Sequence, residues 1–264
     1  MEPAALIVSG SWHLPIHYAA LADSLQKAGF NHVRNPKLLT AVEELPVPAE
    51  ATLEGDTEVI RSEIASLANA GHPITIFCHS YGGVLASNSV DGFLWTQRKA
   101  AGKAGGVVHM VYMAAFVIPL GKALGDSFGE HIPDFLQLDE ANGLLYMSDV
   151  RMSFYNDLEE AEGQKWAEKC VYCSLHCFQD KLSSAPYEHI GKGLDATYLV
   201  CKQDYRLLVP VQEAVATLLG ENRKTEYIDA GHCAMLSAPE EVASVVWKAW
   251  ESSEARLKKS SQFQ

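Results

Sequence analysis

Two hydrophobic patterns alternate along most of the chain. Continuous apolar runs predict buried strands, and several segments between them carry apolar residues three or four positions apart, which predicts helices. This alternation is typical of βαβ units and indicates an α/β fold, with a mostly parallel sheet of about six strands flanked by helices. The predicted strands are residues 4–8, 31–39, 74–77, 107–115, 196–201 and 224–228.

Capping residues predict where individual helices begin. Asp56 is the predicted N-cap of the second helix, after a surface loop at residues 40–55. A capping box formed by Ser237 and Glu240 predicts the start of the last helix. Beyond it, from Ser252 onward, the chain is expected to fray.

The strand–helix rhythm stops after Pro119, and this break predicts an inserted cap at residues 119–194. The α/β core would then comprise residues 1–118 and 195–258, followed by a frayed tail at residues 259–264. An excursion of this length inside a compact domain is usually functional. The cap is therefore expected to cover the site.

Inside the predicted cap, the pattern indicates a small hairpin within residues 144–154. A helix is predicted to start at a cap formed by Asn156 or Asp157 and to run to about Phe178, with Glu160 completing a capping box for Asp157. Phe154, like the other large apolar residues of this region, is expected to pack mainly within the cap. Together these aromatic residues predict an apolar pocket beneath the cap.

Three cysteines of that predicted helix, Cys170, Cys173 and Cys177, would share one face beside His176. Three thiols and a histidine allow a zinc site as an alternative. The same spacing fits an ordinary apolar face, because a free cysteine packs as a small hydrophobic side chain. All six cysteines are expected to be free thiols, and no metal or cofactor is predicted.

Composition narrows the class of protein. A chain of 264 residues with 48% hydrophobic content can form one large domain. The formal net charge of −12 argues against binding to nucleic acid or to an anionic membrane surface, so a small-molecule substrate is the expected partner. The N-terminus lacks a basic region and a long apolar run, which predicts a soluble, cytoplasmic protein. A homodimer is left open.

The most informative stretch is I-T-I-F-C-H-S-Y-G-G, at residues 74–83. Its strand leads into Cys78, Ser80 and Gly82, which matches a nucleophile elbow with cysteine in place of the first glycine. Small residues two positions before and after the serine let the backbones pass at a sharp turn. Ser80 is therefore a candidate nucleophile, although the same pattern arises by chance at strand-to-helix junctions.

Two later loops carry the partners that a serine nucleophile needs. Asp204 follows the fifth predicted strand and His232 follows the sixth. With Ser80 they occur in the order nucleophile, acid, base at the carboxyl ends of parallel strands. The imidazole would act as the base, and the carboxylate would orient it. Asp126 and Asp229 are rival acids, but Asp229 lies only three residues before His232, too near to reach behind the ring easily.

Backbone N–H groups are expected to hold the oxyanion of an acyl-transfer intermediate. Tyr81, directly after the nucleophile, is one predicted donor. The first turn of the chain supplies Ser11 as the second donor, with Trp12 as the next choice. Candidates for lining the substrate pocket, each of which also fits a packed or surface position, are Trp12, His13, Tyr155, Trp166 and His176.

The chain resembles the α/β-hydrolase superfamily, and within it the plant methylesterases and hydroxynitrile lyases with their fungal relatives. The similarity spans almost the whole chain, and it implies the α/β-hydrolase fold with an inserted cap. The segments that carry it are S-G-S-W-H (9–13), H-S-Y-G-G (79–83), Y-M-A-A-F (112–116), F-Y-N-D (154–157), Asp204 and Gly231-His232.

Two departures from that group bear on the reaction. The usual His-Gly before the oxyanion turn is Ser9-Gly10 here, which keeps the backbone donor and removes a ring. In the hydroxynitrile lyases a lysine typically follows the catalytic histidine, whereas this chain has Cys233. A cyanogenic lyase is therefore not expected.

The sequence predicts a serine hydrolase that cleaves a small, fairly apolar ester, lactone or thioester through an acyl-enzyme. The alternative, by analogy within the superfamily, is a lyase, cyclase or retro-aldol enzyme that uses the same triad for acid–base chemistry. A ligand receptor without turnover is the third candidate. A trapped acyl-Ser80 species would argue against the second candidate, and a fully active Ser80→Ala variant would favour the third.

Overall fold

The apolar runs of the sequence form the strands of a central parallel sheet. The computed structural model describes residues 1–262. Within that range the strands are β1 (Ala4–Val8), β2 (His32–Arg34), β3 (Ala41–Val42), β4 (Pro73–His79), β5 (Gly106–Met113), β6 (Leu136–Asp139), β7 (Leu144–Met147), β8 (Tyr172–Ser174), β9 (Asp195–Cys201) and β10 (Lys224–Ile228).

The central sheet contains the six predicted strands in the order β10-β9-β5-β4-β1-β2, with all neighbours parallel. The inner strands β1, β4 and β5 are buried along their whole length, which explains why their sequences are continuously apolar rather than alternating. The predicted α/β fold is confirmed. Because β4 lies between β1 and β5, its carboxyl end is at the middle of the sheet edge.

Helices cover both faces of this sheet. One apolar cluster packs the helices at residues 53–69 and 82–89 against it, and the other packs the helices at residues 19–28 and 239–262. The α-helices of the described residues are α1 (Ala19–Ala28), α2 (Leu53–Asn69), α3 (Gly82–Ser89), α4 (Trp95–Ala100), α5 (Val150–Phe154), α6 (Glu160–Ala167), α7 (His176–Gln179), α8 (Val209–Ala216), α9 (Ala234–Ser237) and α10 (Pro239–Gln262).

The prediction that Asp56 caps the second helix is wrong. Thr52 is the N-cap of α2, and its side chain accepts a hydrogen bond from the Gly55 N–H at 3.0 Å. The buried Asp56 carboxylate instead accepts bonds from the backbone N–H groups of Leu39 and Thr40. It is used to fix the loop that precedes the helix, a long-range role that no local pattern signals.

The end of the chain also differs from the prediction. Ser237 is the last residue of α9 rather than a cap, and its hydroxyl donates to Asp157 Oδ2 at 2.6 Å. Helix α10 continues to Gln262, because one of its faces stays apolar and packs on the sheet; fraying from Ser252 is therefore wrong for the described part. Residues 263–264 of the predicted tail lie outside the described residues.

A second, antiparallel sheet of four strands, in the order β3-β8-β7-β6, lies in the cap region. Its strand β3 comes from residues 40–55, which were predicted to be a surface loop outside the cap. The predicted hairpin lies earlier than expected, because β6 pairs with β7 while residues 150–154 form a helix. The strands of this sheet are short, and β3 and β8 pair although they lie far apart in the sequence.

The long cap helix expected from Asp157 to Phe178 is also wrong. Helix α6 ends at Ala167, and the chain then extends as β8, which pairs with β3 and β7. Strand pairing with distant segments therefore overrides the local helical spacing. Within the described residues, none of the helices combines the length and apolar character that a bilayer span requires.

Candidate active site

Ser80 lies at a sharp turn between β4 and α3 at the middle of the sheet edge. Its backbone has φ +54°, in the left-handed region that residues other than glycine rarely adopt. Hydrogen bonds hold this conformation: the Ser80 N–H donates to Met113 O at 3.3 Å, and Ser80 O accepts from the N–H groups of Gly83 and Phe116 at 3.0 Å. The strained turn is thus tied to the neighbouring strand β5.

Small residues around Ser80 are required by close backbone contacts. A Cβ atom on Gly82 would lie 2.4 Å from Val8 O, and one on Gly10 would lie 3.0 Å from Ser80 Cβ. Cys78 fits in the place of a glycine because its side chain packs in the sheet core, with Sγ 3.4 Å from Val111 O. These contacts bring the first loop of the chain against the elbow.

Asp204 and His232 form a buried pair on the loops after β9 and β10. His232 Nδ1 donates to Asp204 Oδ2 at 2.6 Å. The other carboxylate oxygen, Oδ1, accepts from the backbone N–H groups of Arg206 and Leu207, each at 2.9 Å. This network leaves His232 Nε2 as the basic nitrogen, and that atom is buried without a hydrogen-bond partner.

Ser80 and His232 line the same pocket, although no hydrogen bond joins Ser80 Oγ to His232 Nε2. Such bonds are often long before substrate binds. The rival acids contact other groups: Asp229 is exposed and pairs with Lys202 at 3.4 Å, and Asp126 accepts from the Ala123 N–H. Asp204 is therefore the carboxylate that orients His232.

A buried chain of hydrogen bonds joins the first loop, the elbow and the His232 loop. The Gly10 N–H donates to the Tyr18 hydroxyl, which donates to His79 Nδ1, each at 2.8 Å. His79 Nε2 donates to the carbonyl oxygen of His232 at 3.0 Å. Burial lowers the pKa of His79 well below its usual value, and the nearby imidazole of His232 lowers it further. His79 is therefore neutral, with its tautomer set by the His232 carbonyl.

The two predicted oxyanion donors both line the pocket beside Ser80. Tyr81 precedes α3, and N–H groups at a helix start have no acceptor within the helix. Ser11 lies on the first loop, next to Trp12, whose backbone has φ +65°. Trp12 is fixed by the cap, because its carbonyl accepts from the Val171 N–H at 3.0 Å and its indole donates to Leu145 O at 2.9 Å.

The pocket is lined mainly by aromatic and aliphatic side chains. Trp12, Met147 and Phe154 line it, and the Phe154 ring stacks on His232 with centroids 5.5 Å apart. Sequence reasoning missed several lining residues, because they come from separate segments without a local motif: Phe116, Phe128, Phe135, Phe178, Arg206 and Leu207. Arg206 and Leu207 lie close after Asp204, and Phe116 directly follows the predicted strand 107–115, so their positions in the chain could have indicated these three.

Four predicted lining residues lie outside this pocket. The buried His13 accepts a bond from the Tyr155 hydroxyl at 3.0 Å, so these two pack behind the pocket. Trp166 lies farther out, with its ring 5.4 Å from that of His17. His176 is half exposed at the start of the short helix α7 and pairs with Asp180 at 2.9 Å.

Two residues of the predicted cap, Asn156 and Asp157, were assigned to a helix start but instead bind the loops that carry Asp204 and His232. Asp157 Oδ2 accepts from the Gly231 N–H at 2.6 Å, directly before His232. Asn156 Nδ2 donates to Gln203 O at 2.9 Å, directly before Asp204. The cap therefore fixes the loops of both partners of the pair.

The cysteines of the cap do not gather around a common point with His176. Cys173 Sγ and Cys177 Sγ lie 2.9 Å apart in the core, while Cys170 contacts the Tyr155 hydroxyl. Among the described residues, one group of three side chains could hold a metal ion, namely Glu2, His32 and His72, whose ligand atoms lie within 4.8 Å of one another. Glu2 and His72 precede β1 and β4, and His32 is the first residue of β2. The group therefore lies at the amino ends of these strands, at the sheet edge opposite Ser80.

Comparison with known proteins gives relatives that match nearly the whole chain. The chain is 27% identical over 253 residues to the alpha/beta hydrolase nvfD of Aspergillus novofumigatus, covering 93% of this chain and 96% of that protein. This fungal relative agrees with the resemblance inferred from the sequence.

Solved structures share the fold. An extracellular alpha/beta-hydrolase from a Paenibacillus species, described as homologous to tobacco salicylic acid binding protein 2, matches with a TM-score of 0.72 and 19% identity, over 94% of this chain and 98% of that one. Polyneuridine aldehyde esterase matches with a TM-score of 0.71 and 18% identity, over 94% and 99%. The model of the alpha/beta hydrolase family matches residues 5–245. The chain therefore belongs to the alpha/beta hydrolase family.

Proposed function

We propose that the protein is a serine hydrolase that cleaves a small, fairly apolar carboxylic ester, lactone or thioester. The observation that carries this proposal is the buried Asp204–His232 pair, whose free Nε2 lines the same pocket as Ser80. A hydroxyl needs such a base to be a useful nucleophile at neutral pH. The family, and the esterases among the proteins of similar fold, support this class of reaction.

In the first half of the reaction, Ser80 Oγ attacks the carbonyl carbon while His232 Nε2 takes its proton. The Asp204 carboxylate holds the Nδ1–H and stabilises the imidazolium. The backbone N–H groups of Tyr81 and Ser11 hold the oxyanion, and each such donor typically contributes about 10²–10³ in rate. The intermediate then collapses, and His232 returns the proton to the leaving oxygen or sulfur.

In the second half, water attacks the acyl-Ser80 carbonyl and gives its proton to the same Nε2 atom. The acid is released when Ser80 Oγ takes that proton back. The apolar pocket favours this sequence because it desolvates the reacting carbonyl and strengthens the hydrogen bonds to the oxyanion. Its mainly aromatic and aliphatic lining favours a substrate whose acyl or alcohol part is apolar.

Active-site labelling tests this proposal. The folded protein is treated with a fluorophosphonate probe, digested, and examined by peptide mass spectrometry. One adduct is expected, on Ser80, and it should be absent in Ser80→Ala. Ser89→Ala is the matched control, because Ser89 is buried in α3 and bonds to its own helix at Leu85 O. Labelling should be unchanged in that variant.

Two results would count against the proposal. Folded protein that leaves Ser80 unmodified, or that carries the adduct elsewhere, contradicts the role of Ser80 as nucleophile. Failure to trap an acyl-Ser80 species after brief reaction with p-nitrophenyl acetate, despite turnover, would favour the lyase, cyclase or retro-aldol alternative.

A further inference from the structure

Arg206 is the one residue with a permanent charge among those that line the pocket in the described part of the chain. The other polar lining residues are neutral or titratable, and most of the wall is aromatic. The Arg206 side chain is partly exposed, so its guanidinium keeps contact with solvent while it lines this mainly aromatic wall.

The structure holds this guanidinium in a fixed position. Nε donates to Ser153 Oγ at 2.8 Å, and the buried Ser153 hydroxyl in turn donates to Ser148 O at 2.9 Å. The guanidinium carbon lies 4.7 Å from the centre of the Phe135 ring and 5.3 Å from that of Tyr205. Hydrogen bonding at Nε and the two rings orient the side chain without neutralising it.

The two terminal nitrogens of Arg206, Nη1 and Nη2, have no acceptor among the described residues, and no carboxylate pairs with them. Other arginines of the chain differ. Arg256 pairs with Asp195 at 3.0 Å, and Arg98 Nη2 donates to Asn69 and Ala104. Arg206 therefore lines the pocket with terminal N–H donors that no acceptor of the described residues occupies.

We propose that Arg206 anchors a carboxylate of the substrate, so that the ester, lactone or thioester cleaved by this protein carries a free acid group on its apolar body. This inference rests on the proposed function. The planar fork of a guanidinium matches a carboxylate with two parallel hydrogen bonds. The chain carries a formal net charge of −12, so an anionic substrate needs a local cation to enter the site.

A binding experiment tests the anchor without requiring turnover. In a Ser80→Ala background, calorimetry compares 4-phenylbutanoate with 4-phenylbutanamide, which share shape and differ in charge. The carboxylate should bind about 10- to 100-fold more tightly, the range expected for hydrogen bonds to a charged group. Arg206→Gln should remove this preference, and Arg206→Lys should keep part of it, because lysine retains the charge and loses the fork.

Arg61→Gln is the matched control. Its guanidinium also lies over a phenylalanine ring, 4.8 Å from the centre of Phe93, but outside the pocket, so the preference should persist. Equal binding of acid and amide in the Ser80→Ala protein would overturn the proposal without reference to any Arg206 variant. So would a preference that survives in Arg206→Gln with an unchanged melting temperature.

Hydrolysis supplies the second readout. The ratio of kcat/KM for p-nitrophenyl hydrogen adipate to that for p-nitrophenyl hexanoate should fall about 10- to 100-fold in Arg206→Gln. Equal losses for both esters would contradict the anchor. Absence of Ser80-dependent turnover of either ester would contradict the proposed function instead, and the calorimetric comparison would still decide the role of Arg206.

Discussion

The two sides of the pocket come from regions that fold under different constraints. On the sheet side, Ser80, Asp204 and His232 each follow the end of a parallel strand, so the sheet register determines where they meet. On the cap side, the lining comes from strands and helices of four or five residues, in which the hairpin of β6 and β7 is extended by β8, and β8 pairs with the distant β3. The sheet-side positions thus follow from local signals, whereas the cap-side lining depends in part on contacts between distant segments.

The two sides are joined where the cap touches the catalytic loops. Asp157 binds the Gly231 N–H, and Asn156 binds Gln203 O. A cap that only covered the pocket would not need these bonds. Substitutions on each side therefore test whether the cap selects substrate alone or also positions the reacting groups.

The largest effect is expected on the sheet side, from Asp204→Asn. The amide cannot hold His232 as the tautomer with a basic Nε2, and it does not stabilise the imidazolium. We expect kcat for p-nitrophenyl butyrate to fall about 10⁴-fold. Asp229→Asn is the control, because this exposed rival pairs with Lys202, and its kcat should change little. Equal losses in both variants would contradict the assignment of Asp204.

The next largest effect concerns the pH dependence of stability, and its source also lies outside the cap. Burial lowers the pKa of His109 from 6.5 to about 4, although Asp195 partly opposes the shift. Between these values the unfolded chain binds more protons, so stability falls as pH falls, by about 1.4 kcal/mol per pH unit. Urea unfolding at pH 7, 6 and 5 should show a loss of stability on acidification, and His109→Gln should reduce its slope by up to this amount, while other buried histidines such as His79 keep contributing to it.

Asp56 should act in the opposite direction. Burial raises its pKa from 3.8 to about 6, against three hydrogen bonds that lower it. Here the folded chain binds more protons between those values, so stability from this group is present at low pH and is lost as pH rises toward 6. Asp56→Asn should therefore make the loss of stability on acidification steeper, whereas His109→Gln makes it shallower. Parallel slopes in the two variants would show that other groups control acid unfolding.

The sequence was sufficient for the sheet side because each of its signals is local. The elbow at Ser80 needs small neighbours, Asp204 follows the apolar run of β9, and His232 follows the short strand β10, which pairs in parallel with β9. The secondary structure of the cap could not be predicted from local signals. Cys173 lies at helical spacing from its neighbours, yet it is in a strand because it pairs with Ala41.

Polar residues of the cap were misassigned for the same reason. Asp157 has the spacing of a helix cap, but its carboxylate is used by Gly231 and Ser237, more than 70 positions away. A capping pattern records only that a carboxylate could bind a nearby N–H. Which N–H the carboxylate binds depends on the packing of distant segments, and the local sequence does not determine that packing.

A smaller effect is expected at the junction, from Asp157→Ala. Removing the carboxylate leaves the Gly231 N–H and the Ser237 hydroxyl without their acceptor and releases the loop that carries His232. We expect the free energy of unfolding to fall by about 1–3 kcal/mol, and kcat to fall about tenfold. Steady-state kinetics and urea unfolding measure the two effects.

The matched control for Asp157→Ala is Asp134→Ala, another aspartate of the cap, which is exposed. It should leave both quantities nearly unchanged. If Asp157→Ala lowers stability while kcat keeps its original value, the bond to Gly231 fixes the cap and not the reacting imidazole. The cap would then contribute only to substrate selection.

The smallest effect separates the two roles of the cap at a single residue. Phe154 stacks on His232 at 5.5 Å, whereas Phe178 lines the same pocket but stacks on Phe128 at 5.7 Å. Both changes to leucine remove a ring from the wall, so KM should rise about three- to tenfold in each. Only Phe154→Leu should also shift the pH profile of kcat, because Phe154 stacks on the His232 imidazole that carries the proton and Phe178 does not. Identical pH profiles in the two variants would mean that the cap side supplies apolar volume and leaves the proton transfer to the sheet side.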